Sequence, residues 1–313
     1  MKAVFIEKYG RPEVLIYGDL PKPVIDNDEL LIKVFATSVN PVDWKLRKGM
    51  LRFLPGQKLP KILGSDISGI VEEAGKDVME FKPGDEIYGL ISAAKGGGYA
   101  EYATAKPHQV SLRPKNINFE EAATIPLAAL TAYQSIKRLG KLKVGDKILV
   151  NGCSGGVGHF AVQIAKAMGA NVTGVCSTKN IELVKILGAE KIIDYTSENI
   201  FSDNMTYDIF FDAVANQSFW KARKYLNKNG RYVTTLPSVG LVLNLFLNIF
   251  SSKKGKMISV KSLPEDLRFL SELIKSDKLR TVIDTAYKLK DIKEAHIHSE
   301  TDRVVGKLAI SIN

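Results

Sequence analysis

An α/β chain of two lobes, one a β-rich barrel type and the other a doubly wound parallel sheet, is predicted by three observations. The length of 313 residues exceeds what one hydrophobic core usually organises. The hydrophobic pattern has strand period up to Pro114, then from Phe119 turns helical and alternates strand with helix. A glycine-rich turn, GCSGGVG at 152–158, falls between one such strand and one such helix.

The β-rich lobe opens the chain. KAVFIEKY, VLIYGDL, ELLIKVFAT, KILGSDISGIVEEAG, DEIYGLIS and YAEYATA are short strand-like runs separated by glycine and proline turns. The helical interruption PVDWKLRKG carries Pro41 where a first helical turn tolerates it. FEEAATIPLAALTAYQSIKRLG then predicts a helix, with Glu120 and Glu121 at its positive end. DKILVNG, ANVTGVC, KIIDY, YDIFFDAV and GRYVTTL predict strands, and GHFAVQIAKAMG, KNIELVKILG and FWKARKYLN helices between them, the pattern of a parallel sheet covered on both faces. A helix PEDLRFLSELIKSD and a strand RVVGKLAISI, expected to return to the first lobe, close the chain.

Composition removes several function classes. With 45% hydrophobic and 25% charged residues the chain is neither disordered nor fibrous. MKAVFIEKYG enters strand alternation at once and no apolar run reaches membrane-spanning length, so a cytoplasmic location is expected. Cys153 and Cys176 fall in segments that read as buried, as small core residues and not a disulfide framework. The net charge of +10 fits nucleic acid, an anionic membrane or a phosphorylated ligand. The basic residues are scattered without interleaved aromatics, which favours a solvated surface and no nucleic-acid partner. The apolar run LVLNLFLNIF at 241–250, followed by SSKKGK, is expected to line a dimer interface or substrate cleft in preference to touching a membrane surface.

The segment KILVNGCSGGVGHFAVQIAKAMG carries the clearest chemistry. A glycine turn there lets backbone approach a pyrophosphate, while the helix N-terminus presents N–H groups and partial positive charge. Ser154, Gly155, Gly156, Val157 and Gly158 form that loop, with Cys153 where the Gly-x-Gly-x-x-Gly fingerprint has its first glycine. The second strand ends in Ser177, Thr178 and Lys179, with no Asp or Glu to accept from an adenosine ribose. Hydroxyls beside an ammonium suit a 2′-phosphate. Each charge-assisted hydrogen bond is worth about 1.5–3 kcal/mol, roughly a tenfold to hundredfold preference, so NADPH is the expected cofactor.

NPVDWK, GSDISGIVEEAG, FKPGDEIYG, GYAEYA, AATIPLAALTAY, GCSGGVGHFAVQIAKAMGA, STKNIELVKILGAEKIIDY and the terminal VGKLAI occur in an order that resembles a known family. The family is the medium-chain dehydrogenase/reductase superfamily, in its zinc-free quinone oxidoreductase and enone reductase branch. The resemblance implies a GroES-like catalytic domain from residues 1–118 and 285–313 and a Rossmann NADPH-binding domain over 119–284. It also implies a homodimer acting on a small-molecule enone, alkenal or quinone. Where zinc-dependent relatives carry ligands, this chain has Asn40 or its neighbours, Ser65, Asp66 and Leu127, so no metal is expected. His296 and His298 read as a solvated surface pair. Without a Lewis acid an isolated carbonyl is a poor substrate, whereas an enone or quinone is already electron-poor.

By the same resemblance Lys45 polarises the substrate carbonyl or relays a proton, Asn40 touches the nicotinamide ribose or substrate oxygen, and Asp43 orients one of these. The bland alternative for Lys45 is a surface lysine paired with Asp43. Thr131 meets the nicotinamide and Tyr195 stacks near the adenosine phosphate. Val214, Leu236, Gly306 and Lys307 are further cofactor positions, and Asp66 is structural. A non-catalytic NADPH-binding redox sensor and a peripheral membrane reductase of lipid-derived substrates are the competing functions.

Overall fold

The computed structural model describes residues 1–53, 57–92, 95–201, 205–236 and 251–312. The chain divides into two compact units, one of Met1–Leu127, Ser262–Lys275 and Thr281–Asn313, the other of Ala128–Lys261 and Ser276–Arg280. The apolar run 241–250 lies outside the described residues.

In the first unit a small antiparallel sheet has strand order Ile16–Asp19, Lys2–Ile6, Lys61–Ile62. A seven-stranded sheet runs Ile283–Lys288, Lys307–Ser311, Leu30–Val39, Asp66–Ala74, Glu86–Leu90, Val110–Leu112, with Tyr102–Ala105 paired to Leu30–Val39. The last strand pairs antiparallel with Leu30–Val39, placing Leu308 opposite Val39. Alternating side chains of these strands fill the interior, where Leu30, Ile32, Val34, Ile67, Val71 and Ile87 pack together. Each such side chain taken from water contributes about 1.5–3 kcal/mol.

The unit boundaries differ from the expected 118/119 and 284/285 for a packing reason. Phe119, at the start of helix Phe119–Ala123, stacks on Phe35 with ring centroids 4.8 Å apart and lies under the Arg113 guanidinium. Helix Pro264–Lys275 turns Leu267, Leu270 and Ile274 inward at helical spacing. The Tyr88 hydroxyl donates to its Leu267 carbonyl at 3.2 Å and shares a 2.8 Å hydrogen bond with Ser271. Both helices therefore belong to the β-rich unit.

The second unit is a six-stranded sheet, all parallel, in the order Lys191–Asp194, Asn171–Cys176, Lys147–Asn151, Tyr207–Asp212, Leu226–Thr234, Lys254–Met257. Numbered along the chain that is 3-2-1-4-5-6, the dinucleotide-binding order whose ligand crevice lies at the carboxyl ends of strands 1 and 4. Leu149, Val175, Phe210, Phe219 and Tyr232 form its core on one face.

Several expected elements are redrawn. The long helix from Phe119 breaks before Pro126 and continues as Pro126–Tyr133 and a π-helical turn Gln134–Leu139. The helix FWKARKYLN is only Phe219–Ala222 with a 3-10 turn, because Leu226 already begins a strand and its burial on the sheet outweighs local helix preference. Lys254–Met257, which begins within the SSKKGK that follows the apolar run, is a strand.

Candidate active site

Asn40 is the hinge of the first unit's polar cluster. It leaves strand Leu30–Val39 in extended conformation and starts helix Pro41–Arg47. It is 1% exposed, and both ends of its amide are engaged. Nδ2 donates to Asp66 Oδ2 at 2.8 Å, and Oδ1 accepts from Lys307 Nζ at 2.5 Å. Asp66 also accepts from the Ser38 hydroxyl at 2.6 Å and the Leu127 N–H at 2.8 Å. Asn40, Asp66 and the Leu127 N–H thus converge, with the Lys307 amine 3.8 Å from Asp66 Oδ2. Burial lowers the Lys307 pKa, and Asp66 and then Asp43 act against that fall. Among the described residues no group of three or more His, Cys, Asp or Glu could hold a metal ion.

Asp43 turns inward from the first turn of the helix. Its Oδ2 accepts from the Asn40 N–H at 2.8 Å and the Tyr99 hydroxyl at 3.0 Å. Oδ1 is buried with no hydrogen-bond partner. Desolvation pushes the carboxyl up to about 7, with the Asn40 N–H and Tyr99 holding it back. Tyr99 in turn meets His296 Nε2 at 3.2 Å. A tyrosine that donates to Asp43 must accept from His296, so the imidazole carries its proton on Nε2.

The expectation of a solvated histidine pair is corrected here. His296 is 0% exposed, and burial followed by the Arg47 charge lowers its pKa to about 3. The signal was available in the helical spacing of Ile292, Ala295, His296 and Ser299, all on the buried face of helix Ile292–Ser299. His298 is partly exposed and bonds the Tyr287 hydroxyl at 2.9 Å.

Lys45 lies on the other side of the same helix. Because Asp43 points inward to Asn40 and Tyr99, the bland pairing of Lys45 with Asp43 is not what forms. The ammonium sits 5.3 Å from the Trp44 ring, partly exposed, and its pKa is lowered by desolvation with Asp302 opposing. An ammonium with reduced hydration responds more strongly to new negative charge than one in bulk water.

In the second unit the turn after strand Lys147–Asn151 is carried by Gly152, which has φ +76°. Gly158 opens helix Gly158–Ala167, and a Cβ there would lie 2.0 Å from the Gly152 carbonyl oxygen. Only glycine permits this closeness. The turn is a cradle held by backbone contact, and it fits a dinucleotide pyrophosphate. Ser154 Oγ accepts from Asn180 Nδ2 at 2.9 Å, and Ser177 Oγ does so at 3.4 Å. Asn180 was not singled out from sequence, where it is one polar residue in STKN.

Lys179 is exposed in the turn Thr178–Asn180, and Tyr195 is 58% exposed at the end of the neighbouring strand. The absence of a carboxylate near the second strand's end holds for the sequence but not in space. Thr178 Oγ1 donates to Asp194 Oδ2 at 2.5 Å, and Thr196 hydrogen-bonds Asp194 too. Val214 is exposed and its Cγ2 lies 2.1 Å from where a Gly152 Cβ would stand. Leu236 is exposed, and Thr131 is buried in helix Pro126–Tyr133. Ser154 to Gly158 and Ser177 to Lys179 are thus gathered at the carboxyl ends of adjacent strands. Gly306 and Lys307 belong to the first unit, where Gly306 has φ +76° and the Lys307 side chain serves Asn40.

Comparison with known proteins places these features in context. Residues 26–115 match the alcohol dehydrogenase GroES-like domain family and residues 187–310 the zinc-binding dehydrogenase family. The chain is 35% identical to the chloroplast envelope quinone oxidoreductase homolog of Arabidopsis thaliana, over 99% of this chain and 98% of that protein. It is 34% identical to the NADPH-dependent alkenal/one oxidoreductase, chloroplastic, of the same plant, over 99% of this chain and 79% of that protein. The solved quinone oxidoreductase from Coxiella burnetii superposes with a TM-score of 0.91 at 32% identity, covering 100% of this chain and 99% of that one. No helix among the described residues is long and apolar enough to cross a membrane.

Proposed function

Since the chain belongs to the zinc-free quinone oxidoreductase and enone reductase branch of the medium-chain dehydrogenase/reductase superfamily, and is an oxidoreductase, we propose that it uses NADPH to reduce the activated C=C of an enone or alkenal, or a quinone. The observation that carries the cofactor assignment is the glycine cradle beside Ser177, Thr178 and Lys179 on a 3-2-1-4-5-6 sheet. NADPH, when bound, supplies a hydride. Ser154 to Gly158 hold the pyrophosphate, and Lys179 with Ser177 faces the 2′-phosphate. The Lys45 ammonium stabilises negative charge as it develops on the substrate oxygen, and Asp43 fixes the start of the helix that carries Lys45. Thr131, Tyr195, Val214, Leu236 and Gly306 are proposed to surround the cofactor. A homodimer and a cytoplasmic location are further expectations of this reading, checked by light scattering and fractionation; the chloroplast names of the relatives set the competing location.

Loss of NADPH absorbance across a panel of small enones, alkenals and quinones tests the function directly. Turnover with at least one class is expected, and NADPH left unconsumed with every class would sink the proposal.

Two further outcomes follow from the site. Lys179→Ala should weaken NADPH by about tenfold or more and NADH far less, since only NADPH carries the extra phosphate. Asp194 beside Thr178 makes this ammonium the more necessary, because the carboxylate repels that phosphate. Equal weakening of both cofactors would remove Lys179 from the 2′-phosphate. The purified protein is also expected to keep its activity in a strong chelator and to contain well under one zinc per chain. Stoichiometric zinc whose removal abolishes turnover would overturn the metal-free mechanism.

A further inference from the structure

The chain has two cysteines, 153 in the glycine turn and 176 at the end of strand Asn171–Cys176. Strands Lys147–Asn151 and Asn171–Cys176 pair in parallel with Asn151 opposite Val175, so residues 152 and 153 run alongside Cys176. The N–H groups of Gly152 and Cys153 both reach the Val175 carbonyl at 3.1 Å. Side chains alternate along a strand, so Gly174 and Cys176 project from the same face. A Cβ on Gly174 would lie 2.8 Å from Cys153 Sγ. The Cys153 thiol therefore occupies the hollow that Gly174 leaves, on the face from which Cys176 projects. Burial disfavours the Cys153 thiolate, while the neighbouring Cys153 thiol favours that of Cys176. Paired strands lie about 4.8 Å apart, within disulfide reach, and Cys153 stands one residue past the position opposite Cys176, so a bridge requires the turn to shift.

Both cysteines border proposed cofactor residues. Ser154 follows one and Ser177 the other, and Asn180 links those two serines. We propose that Cys153 and Cys176 are a modification site, converted by a hydroperoxide to a disulfide that deforms the glycine turn and weakens its hold on NADPH. This rests on the reading of that turn as the NADPH site.

The Cys176 thiolate attacks a peroxide oxygen, the O–O bond breaks, and the departing alkoxide or hydroxide takes a proton to leave as alcohol or water. Cys176 becomes a sulfenic acid. The Cys153 sulfur attacks the sulfenic sulfur, the S–S bond forms, and water leaves with the Cys153 proton. Two thiols have lost two electrons and two protons, and the hydroperoxide has gained them. Asp194, opposite Cys176 in the next strand, opposes the thiolate and slows the first step. The second step draws Cys153 Sγ away from the Val175 carbonyl, 3.2 Å distant in the reduced form. Because the Gly158 backbone already touches the Gly152 carbonyl, the turn has no slack to absorb that movement. Both thiols are buried, so peroxide reaches them through an opening of the turn, and a dinucleotide seated there holds it shut.

Hydrogen peroxide is added to the full chain with and without NADPH, and intact mass, peptide mapping and NADPH affinity are read. Without NADPH, a loss of about 2 Da with Cys153 and Cys176 in one cross-linked peptide is expected. NADPH affinity should fall about tenfold or more, a thiol reductant should restore it, and prior NADPH should slow the cross-link. Cys176→Ser should show no 2 Da loss. Two free thiols after treatment and unfolding, oxygen added to one cysteine without a cross-link, or a cross-linked protein with unchanged NADPH affinity would each overturn the proposal. Failure of the untreated protein to bind NADPH would instead remove the assigned function, while the mass change still decides whether the cysteines join.

Discussion

Lys45→Ala is expected to reduce kcat for enones on the order of a hundredfold or more while the NADPH dissociation constant changes little. Hydride arrival at the β-carbon pushes charge onto the carbonyl oxygen, so an ammonium facing that oxygen acts chiefly in the transition state and lowers the barrier. Its setting favours that role. Lys45 is partly desolvated beside Trp44, and the carboxylate two residues away is turned inward to other partners. Quinones accept hydride readily and should lose less. Steady-state turnover of both substrate classes and NADPH titration of the variant check this together. Unchanged enone turnover would leave Lys45 a surface residue, and parallel loss of NADPH binding would make it a cofactor ligand.

Asp43→Asn and His296→Gln are expected to tilt stability with pH in opposite directions. Asp43 rises from 3.8 to about 7 on folding, so between those values the folded chain holds a proton that the unfolded chain has lost. Stability from this group therefore falls as pH rises through that window. His296 drops from 6.5 to about 3, so between those values the unfolded chain binds the extra proton and stability rises with pH. From pH 3.8 to 6.5 the two slopes oppose, each at most about 1.4 kcal/mol per pH unit. Tyr99 lies between the two groups, with Arg47, Asp66 and Lys307 acting on one or the other. Wild type should show little net slope from this pair. Asp43→Asn unmasks a rise and His296→Gln a fall, read by urea unfolding at several pH values. Slopes of the same sign in both variants would rule the account out. Comparing slopes, and not absolute stabilities, removes whatever each substitution costs in packing.

The parts of the fold that were legible in sequence are those with strong local periodicity. Strand Lys147–Asn151, its glycine turn and helix Gly158–Ala167 follow from the apolar run Ile148 to Val150, a cluster of glycines and an amphipathic repeat. What escaped was set by long-range packing. Leu226 became strand because the sheet needed a fifth member, and helix Pro264–Lys275 joined the β-rich unit through Tyr88, 179 residues from Leu267. The site divides in the same way. The residues around the phosphate turn are neighbours in sequence and could be read there. Asp66, Tyr99 and Lys307 meet Asn40 or Asp43 from three separate segments, His296 meets Tyr99 from a fourth, and no spacing rule connects them.

The ammonium of Lys307 has a consequence for how the molecule is made and kept. A cation that is covalently part of the last strand arrives with translation, in fixed one-to-one proportion, and reaches its place when Leu308 registers against Val39. Maturation at that position is therefore the same event as closing the sheet, and a chain truncated before residue 307 would lack both the strand and the charge.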